Sequence, residues 1–387
     1  LDFEIVKALD INDTANKVYN SIHPGMLAHN RTLESLSESE CLGLKADLWT
    51  MSPPCQPFTR MGKRRLGEDN RSLSFHRIIA LIQTVRPAAI LLENVKGFEL
   101  SDAWKELLEA LFHAGYEIRQ FLLTPLQFGI PNCRLRFYLV AKRRDSADSS
   151  FSFCGSLPVF EKATEVSDML QLYEKAIIRL PPPDAPSLPN CGCAACTGKL
   201  KHISAPSEHF DEYLEFCRPL SDFLLPGNDL PTLQHVCQDS LRLSEEKVTK
   251  FYRALDIVTP DSRKSACFTK GYSQRFEGTG SFLLFPGENS MARTSGEANN
   301  NADDIPKLRY FHSQEVANLM CFPPSFSKSE FFGQNLPFVL GYQLFLSFIE
   351  FPPEITEKQR LRLLGNSINV LVVAHVMYWA FATRTEQ

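Results

Sequence analysis

Short apolar runs ending in acidic or polar residues alternate, in the first part of the chain, with segments whose apolar residues recur every three or four positions. "FEIVKALDI" (3–11), "ADLWTM" (46–51), "PAAILLENV" (87–95) and "RFYLVAKR" (136–143) are predicted strands. Between them, Phe75, Ile78, Ile79 and Ile82 share one face of a helix running from about Ser74 to Val85. Trp104, Leu107, Leu108, Leu111 and Phe112 share a face of a second helix, capped by Ser101 and stopped by Gly115. Strands alternating with helices predict a mostly parallel α/β sheet, whose ligands sit beyond the carboxyl ends of its strands. Asp10, Cys55 and Glu93 all stand at or just after such ends.

The pattern breaks at "LPPPDAPSLPNCGCAACTG" (180–198), where proline and glycine density predicts a linker or insertion. Periodicity then stays weak to about residue 312, with a polar stretch at 287–304 expected to be mobile. "SQEVANLMCF" (313–322) reads as a helix, and "NVLVVAHVMYWAFA" (369–382) as a buried terminal helix, too short for a bilayer and interrupted by Asn369 and His375. The expected layout is an α/β domain over 1–182 and 355–387, interrupted by a smaller domain with its hinge over 183–354.

The net charge of −4, from 41 Lys and Arg against 45 Asp and Glu, excludes a globally basic nucleic-acid coat. It leaves room for a local patch. Arg60, Lys63, Arg64, Arg65, Arg71 and Arg77 face only Glu68 and Asp69 over 60–77, which suits phosphate contact. Eleven cysteines without regular spacing favour a reducing compartment, and the cytoplasm, with the nucleus as a second location, is expected. No membrane span and a monomeric state are expected. Cys191, Cys193, Cys196 and His202, with Cys217, have some features of a metal site. Only Cys193 and Cys196 form a C-x-x-C pair, however, so the preferred reading is no metal and a flexible insertion with free thiols.

"MSPPCQPFTR" (51–60) fixes Cys55 in a proline frame beside basic residues, a setting that suits a thiolate nucleophile. Glu93 follows four apolar residues in "LLENVKGF"; if partly buried, its carboxyl is suited to proton donation. Arg134 and Arg136, two apart, share one face of the entering strand and can hold a carboxylate, a phosphate or a base edge.

In this order and at these separations, "SPPCQPFT", "ENVKGF", "IPNCRLRFYLVA" and "LLGNSINV" resemble the cytosine-5 methyltransferases. "CFTKGYSQRFEGTGSFL" (267–283) and "LRYFHSQEVANLMCFPPSF" (308–326) resemble that family's tRNA-methylating branch. The resemblance implies a Rossmann-like class I methyltransferase sheet with an inserted target recognition domain. It implies Cys55 as the nucleophile adding to C6 of cytosine, Glu93 at N3 and the amino group, and Arg134 and Arg136 as the site's arginine pair. S-adenosylmethionine would be the methyl donor, held by Asp10, Leu33, Glu34, Ser52 and Ser367, although Asp10 also reads as a helix cap. Lys63, Arg64 and Arg65, with Cys267, Phe268 and Thr269, would contact the substrate, tRNA, most typically aspartate tRNA at its anticodon loop. DNA would be a weaker substrate, and a catalytically silent RNA-binding protein is the remaining alternative. The family's Phe-x-Gly-x-Gly loop has no counterpart here, and a segment carrying it is expected ahead of Leu1.

Overall fold

A computed structural model describes residues 4–54, 70–144, 170, 171, 173, 175–181, 185–189, 191–203, 210–225, 241–284, 305–322 and 351–381. β1 (Ala8–Asp10) leads into α1 (Asp13–Ile22), and Asn12 caps that helix by accepting from the amides of Thr14 and Ala15. β2 (Ala28–Asn30) pairs in parallel with β1, and α2 (Glu38–Leu44) follows. β3 (Leu48–Met51), α3 (Asn70–Val85), β4 (Ala89–Val95), α4 (Asp102–His113), β5 (Tyr116–Leu123), β6 (Arg136–Arg143) and β7 (Ile177–Ile178) build the main sheet, in the order β3-β4-β6-β5-β7.

The predicted parallel arrangement holds for β3 with β4 and for β5 with β7, but β6 runs antiparallel to both its neighbours. The cause is the short link from Leu123 to Arg136, which carries one 3-10 turn, Pro125–Phe128, and no crossover helix that could return the chain in the same direction. β4 and β5, buried on both faces, read as apolar runs rather than as alternation. One face of the sheet is closed by α3 and α4, through Phe75, Ile78 and Ile82 and through Trp104, Leu107, Leu108 and Leu111.

Further along, α5 (Glu245–Phe251), β8 (Asp256–Val258), β9 (Ser281–Leu284), β10 (Leu308–Arg309) and α6 (Ser313–Leu319) form a smaller unit around a three-stranded sheet, ordered β10-β9-β8. α7 (Glu357–Asn366) and α8 (Val370–Phe381) follow. The 25 residues Glu357–Phe381 are apolar and long enough to cross a membrane. They are broken between the two helices, where Asn369 donates to the Leu319 carbonyl and accepts from Val372 N. Trp379 then packs on Phe121 of the main sheet, ring centroids 6.0 Å apart, so α8 is a core helix over the second face. That face and the smaller sheet share one continuous core, from Leu91 and Val140 through Phe268 and Phe282 to Val376.

The stretch expected as a loose insertion is folded where it is described. Cys191 and Cys193 are buried, and the turn after them is closed by bonds from Thr197 N to the Cys193 carbonyl and from Lys199 N to the Ala194 carbonyl. The polar stretch at 287–304 lies outside the described residues.

Candidate active site

Three segments distant in sequence meet at the start of β6. Asn132 donates to Ser265 Oγ (3.2 Å) and the Ala266 carbonyl (3.0 Å), while Ser265 Oγ donates to the Pro131 carbonyl (2.6 Å). This stitching lays Ser265–Thr269 along the approach to β6. Arg134, 3% exposed, donates to Cys267 Sγ (3.3 Å), the Phe268 carbonyl (2.9 Å), the Gly365 carbonyl (3.3 Å) and the Ser367 carbonyl. Gly365 is required by close approach: a Cβ there would stand 2.2 Å from the Thr269 carbonyl carbon. The "LLGNS" and "CFT" segments are thus two walls of one joint, with Arg134 as its bolt.

Arg136 faces the other way. Its Nε lies 3.4 Å from Glu93 Oε1, and its NH2 group donates to Cys267 Sγ at 3.6 Å. Burial raises the Glu93 pKa, and the opposing pull of Arg136, Arg134 and a hydrogen bond from Ser52 does not cancel it. The carboxyl holds its proton to higher pH than an ordinary glutamate. At Cys267 the balance tips the other way. Burial opposes the thiolate, but the charges and hydrogen bonds of Arg134 and Arg136 outweigh it and lower the thiol pKa. Tyr138, opposite Glu93 in the β4–β6 register, is pushed well up by burial and by the Glu93 charge.

Cys55 and the basic residues Lys63, Arg64 and Arg65 lie outside the described residues. Pro53, two positions before Cys55, is buried, and its carbonyl accepts from Asn94 Nδ2 at 3.4 Å. Because Met51 pairs with Leu92 in parallel register, Ser52–Pro54 run beside Glu93–Val95. The described residues that lead up to the expected nucleophile therefore run beside the expected acid.

Among the other expected site residues, Asp10 ends β1, exposed, with Oδ1 accepting from Asn12 N at 2.8 Å; Asn12, rather than Asp10, caps α1. Leu33 and Glu34 start a 3-10 turn (Leu33–Ser35) just after β2, at the same end of the strand pair as Asp10, and Ser74 Oγ donates to the Glu34 carboxylate and lowers its pKa. An exposed acid at a parallel strand end beside a half-buried leucine suits ribose hydroxyls and a flat base, so these residues fit the nucleoside part of the expected cofactor. Ser52 hydrogen-bonds to Glu93, and the Ser367 carbonyl accepts from Arg134. Phe268, expected against the substrate, is closed into the core, edge-on to Tyr272 at 4.9 Å and Phe311 at 5.1 Å. Thr269 N and Oγ1 are both directed to the Thr279 carbonyl. The Asn132–Ser265 stitching and the Gly365 contact were missed in the sequence; only the glycine inside "LLGNS" gave a signal.

An α/β sheet that gathers an acid, an arginine pair and a cysteine-bearing loop at its strand ends is a Rossmann-like methyltransferase. The chain belongs to the C-5 cytosine-specific DNA methylase family, whose model matches residues 1–336. It is 35% identical to the tRNA (cytosine(38)-C(5))-methyltransferase of Homo sapiens, covering 97% of this chain and 92% of that protein. It is 30% identical to the DNA (cytosine-5)-methyltransferase of Dictyostelium discoideum, covering 97% and 88%. The crystal structure of the S. pombe Dnmt2 methyltransferase superposes with a TM-score of 0.61 at 30% identity, covering 97% of this chain and 90% of that one. The chain is an enzyme of cytosine C5 methylation.

Proposed function

We propose that this enzyme methylates C5 of a cytosine in tRNA, position 38 in the anticodon loop of aspartate tRNA being the favoured target. The observation that carries the reading is the joint of Arg134 and Arg136 with Cys267. It makes the segment resembling the tRNA-methylating branch part of the site beside Glu93.

Cys55, as thiolate, adds to C6 of the cytosine, and the C5–C6 electron pair becomes available at C5. Glu93, whose pKa burial raises, is suited to donate toward N3 and so to steady the charge that develops on the ring. Arg136, paired with Glu93, fixes that carboxyl's orientation. S-adenosylmethionine, which Asp10, Leu33 and Glu34 would hold, would supply the methyl group taken by C5 and leave as S-adenosylhomocysteine. Loss of the C5 proton then expels the Cys55 sulfur and restores the ring. An anticodon loop already presents unpaired bases, which lowers the few kcal/mol that extrusion from a duplex costs.

The α/β part, 1–182 and 355–387, holds cofactor and chemistry in this reading, and 183–354 offers the target-recognition surface. The family's description and the Dictyostelium relative favour DNA as a second reading. Methyl-labelled S-adenosylmethionine given to the full-length protein with tRNA and with duplex DNA separates the two. Label is expected in tRNA, in the anticodon loop, far faster than in DNA; comparable rates on both would overturn the tRNA reading.

A further inference from the structure

Away from the arginine joint, Cys191, Cys193, Cys196 and His375 turn their ligand atoms toward one point, all within 4.8 Å of one another. The imidazole comes from α8, 179 residues beyond Cys196, which is why the local spacing pointed instead to His202 and Cys217. Cys217 lies elsewhere, donating to the Leu126 carbonyl at 3.5 Å. From His375 Nε2 the three sulfurs stand at 3.5 Å (Cys191), 3.3 Å (Cys193) and 3.9 Å (Cys196). A tetrahedral zinc with Zn–S near 2.3 Å and Zn–N near 2.05 Å requires an S···N edge of about 3.5 Å. The three observed distances bracket that edge.

The surroundings are those of a closed site. His375 is fully buried, with ring contacts to Phe128 at 4.8 Å and Trp379 at 5.5 Å. Leu188 N donates to Cys196 Sγ at 3.2 Å, an outer bond of the kind that steadies a metal-bound thiolate. Gly198, at φ 72°, takes the left-handed position that ends the Cys193–Thr197 turn.

We propose that Cys191, Cys193, Cys196 and His375 bind one zinc ion, which staples the 188–199 segment to α8. Soft sulfurs with one imidazole in a four-ligand set favour zinc, and four protein ligands leave no open position for catalysis. Binding converts the three thiols to thiolates and releases their protons to solvent, with no change of oxidation state. The staple's effect reaches the active site through the chain: α8 follows directly from the Gly365–Ser367 wall that holds Arg134. The proposal stands independently of the substrate reading.

The test is the metal content of the full-length protein, purified under reducing conditions without chelator. One zinc per chain is expected, released as a mercurial titrates three thiols. Cys193→Ser and His375→Gln should lose the metal, while Cys217→Ser keeps it. Should those variants fail to fold, the parent protein still decides the matter. After chelator stripping, cobalt(II) should give tetrahedral visible bands with sulfur-to-metal charge transfer, and zinc should then displace it and raise the thermal midpoint. Iron in place of zinc, a stripped protein that gives no such cobalt spectrum, or a disulfide among the three cysteines in the reduced protein would overturn the proposal.

Discussion

The chain gathers buried sulfur in two places, and the two differ in where positive charge comes from. At the start of β6, Cys267 sits between two guanidinium groups, which lower its pKa against the opposing effect of burial. In the cluster facing α8, three sulfurs share one imidazole. Cys191 accepts from its sulfur neighbours and is lowered, while donation to Cys191, together with burial, raises Cys193 and pushes Cys196 up to about 12. Cys217, buried with no guanidinium bonded to its sulfur, is also pushed up to about 12. Burial alone silences a thiol. The first region supplies its own cations; the second, in the zinc proposal above, takes its cation from outside, which suits a structural role.

Substitutions around the first region separate by whether they change chemistry, folding or RNA binding. The largest effect is expected at Cys55: Cys55→Ala should abolish methyl transfer while leaving the unfolding midpoint near the parent's. Glu93→Gln should slow transfer by about 10²–10⁴-fold, the usual contribution of a positioned acid. The parent's rate should fall as pH rises through the raised Glu93 pKa, because the proton it donates is then lost; the variant's profile should lack that limb. Any stability difference at this residue follows the same sign. The contribution of protonated Glu93 is present below the ordinary carboxyl pKa and disappears as pH rises through the raised one.

Arg134→Met lies at the joint and should affect both readouts. It leaves the Phe268, Gly365 and Ser367 carbonyls without their donor, a loss of about 3 kcal/mol or more in denaturant unfolding, with transfer impaired as well. Gly365→Ala, forcing a Cβ against Thr269, should cost about 1–3 kcal/mol by the same measurement. The smallest effect is expected from neutralising Lys63, Arg64 and Arg65 together. Binding to tRNA should weaken, and its log–log salt slope should flatten by about 2, near 0.7 for each phosphate that the side chains no longer neutralise.

Most of the α/β elements could be read from the sequence because their signals are local. The core faces of α3 and α4, the Ser101 cap and the β6 boundaries all follow from residues within a few positions of one another. The orientation of β6 was not legible, since it depends on a link whose lack of a helix matters only once β5 is recognised. Glu93, Arg134 and Arg136 were legible as types at strand ends. Their division of labour was not: Arg134 binds carbonyls from 134 to 233 residues away. The grouping of Cys191, Cys193 and Cys196 with His375 was not legible for the same reason, since His375 lies on the terminal helix, outside the window in which metal spacing is read. For Ser52 and Ser367 the sequence did not show the local partners, a hydroxyl bonded to Glu93 and a carbonyl that accepts from Arg134.

The account rests most heavily on a sulfur of this chain bonding to a cytosine of tRNA. The direct measurement is covalent trapping: the full-length protein and Cys55→Ala are each incubated with S-adenosylmethionine and an aspartate tRNA anticodon stem-loop carrying 5-fluorocytosine at position 38, then resolved under denaturing conditions. The expected result is a one-to-one protein–RNA adduct in the parent and none in Cys55→Ala. An adduct that persists in Cys55→Ala, or one that forms with a 5-fluorocytosine duplex DNA but not with the stem-loop, would contradict it.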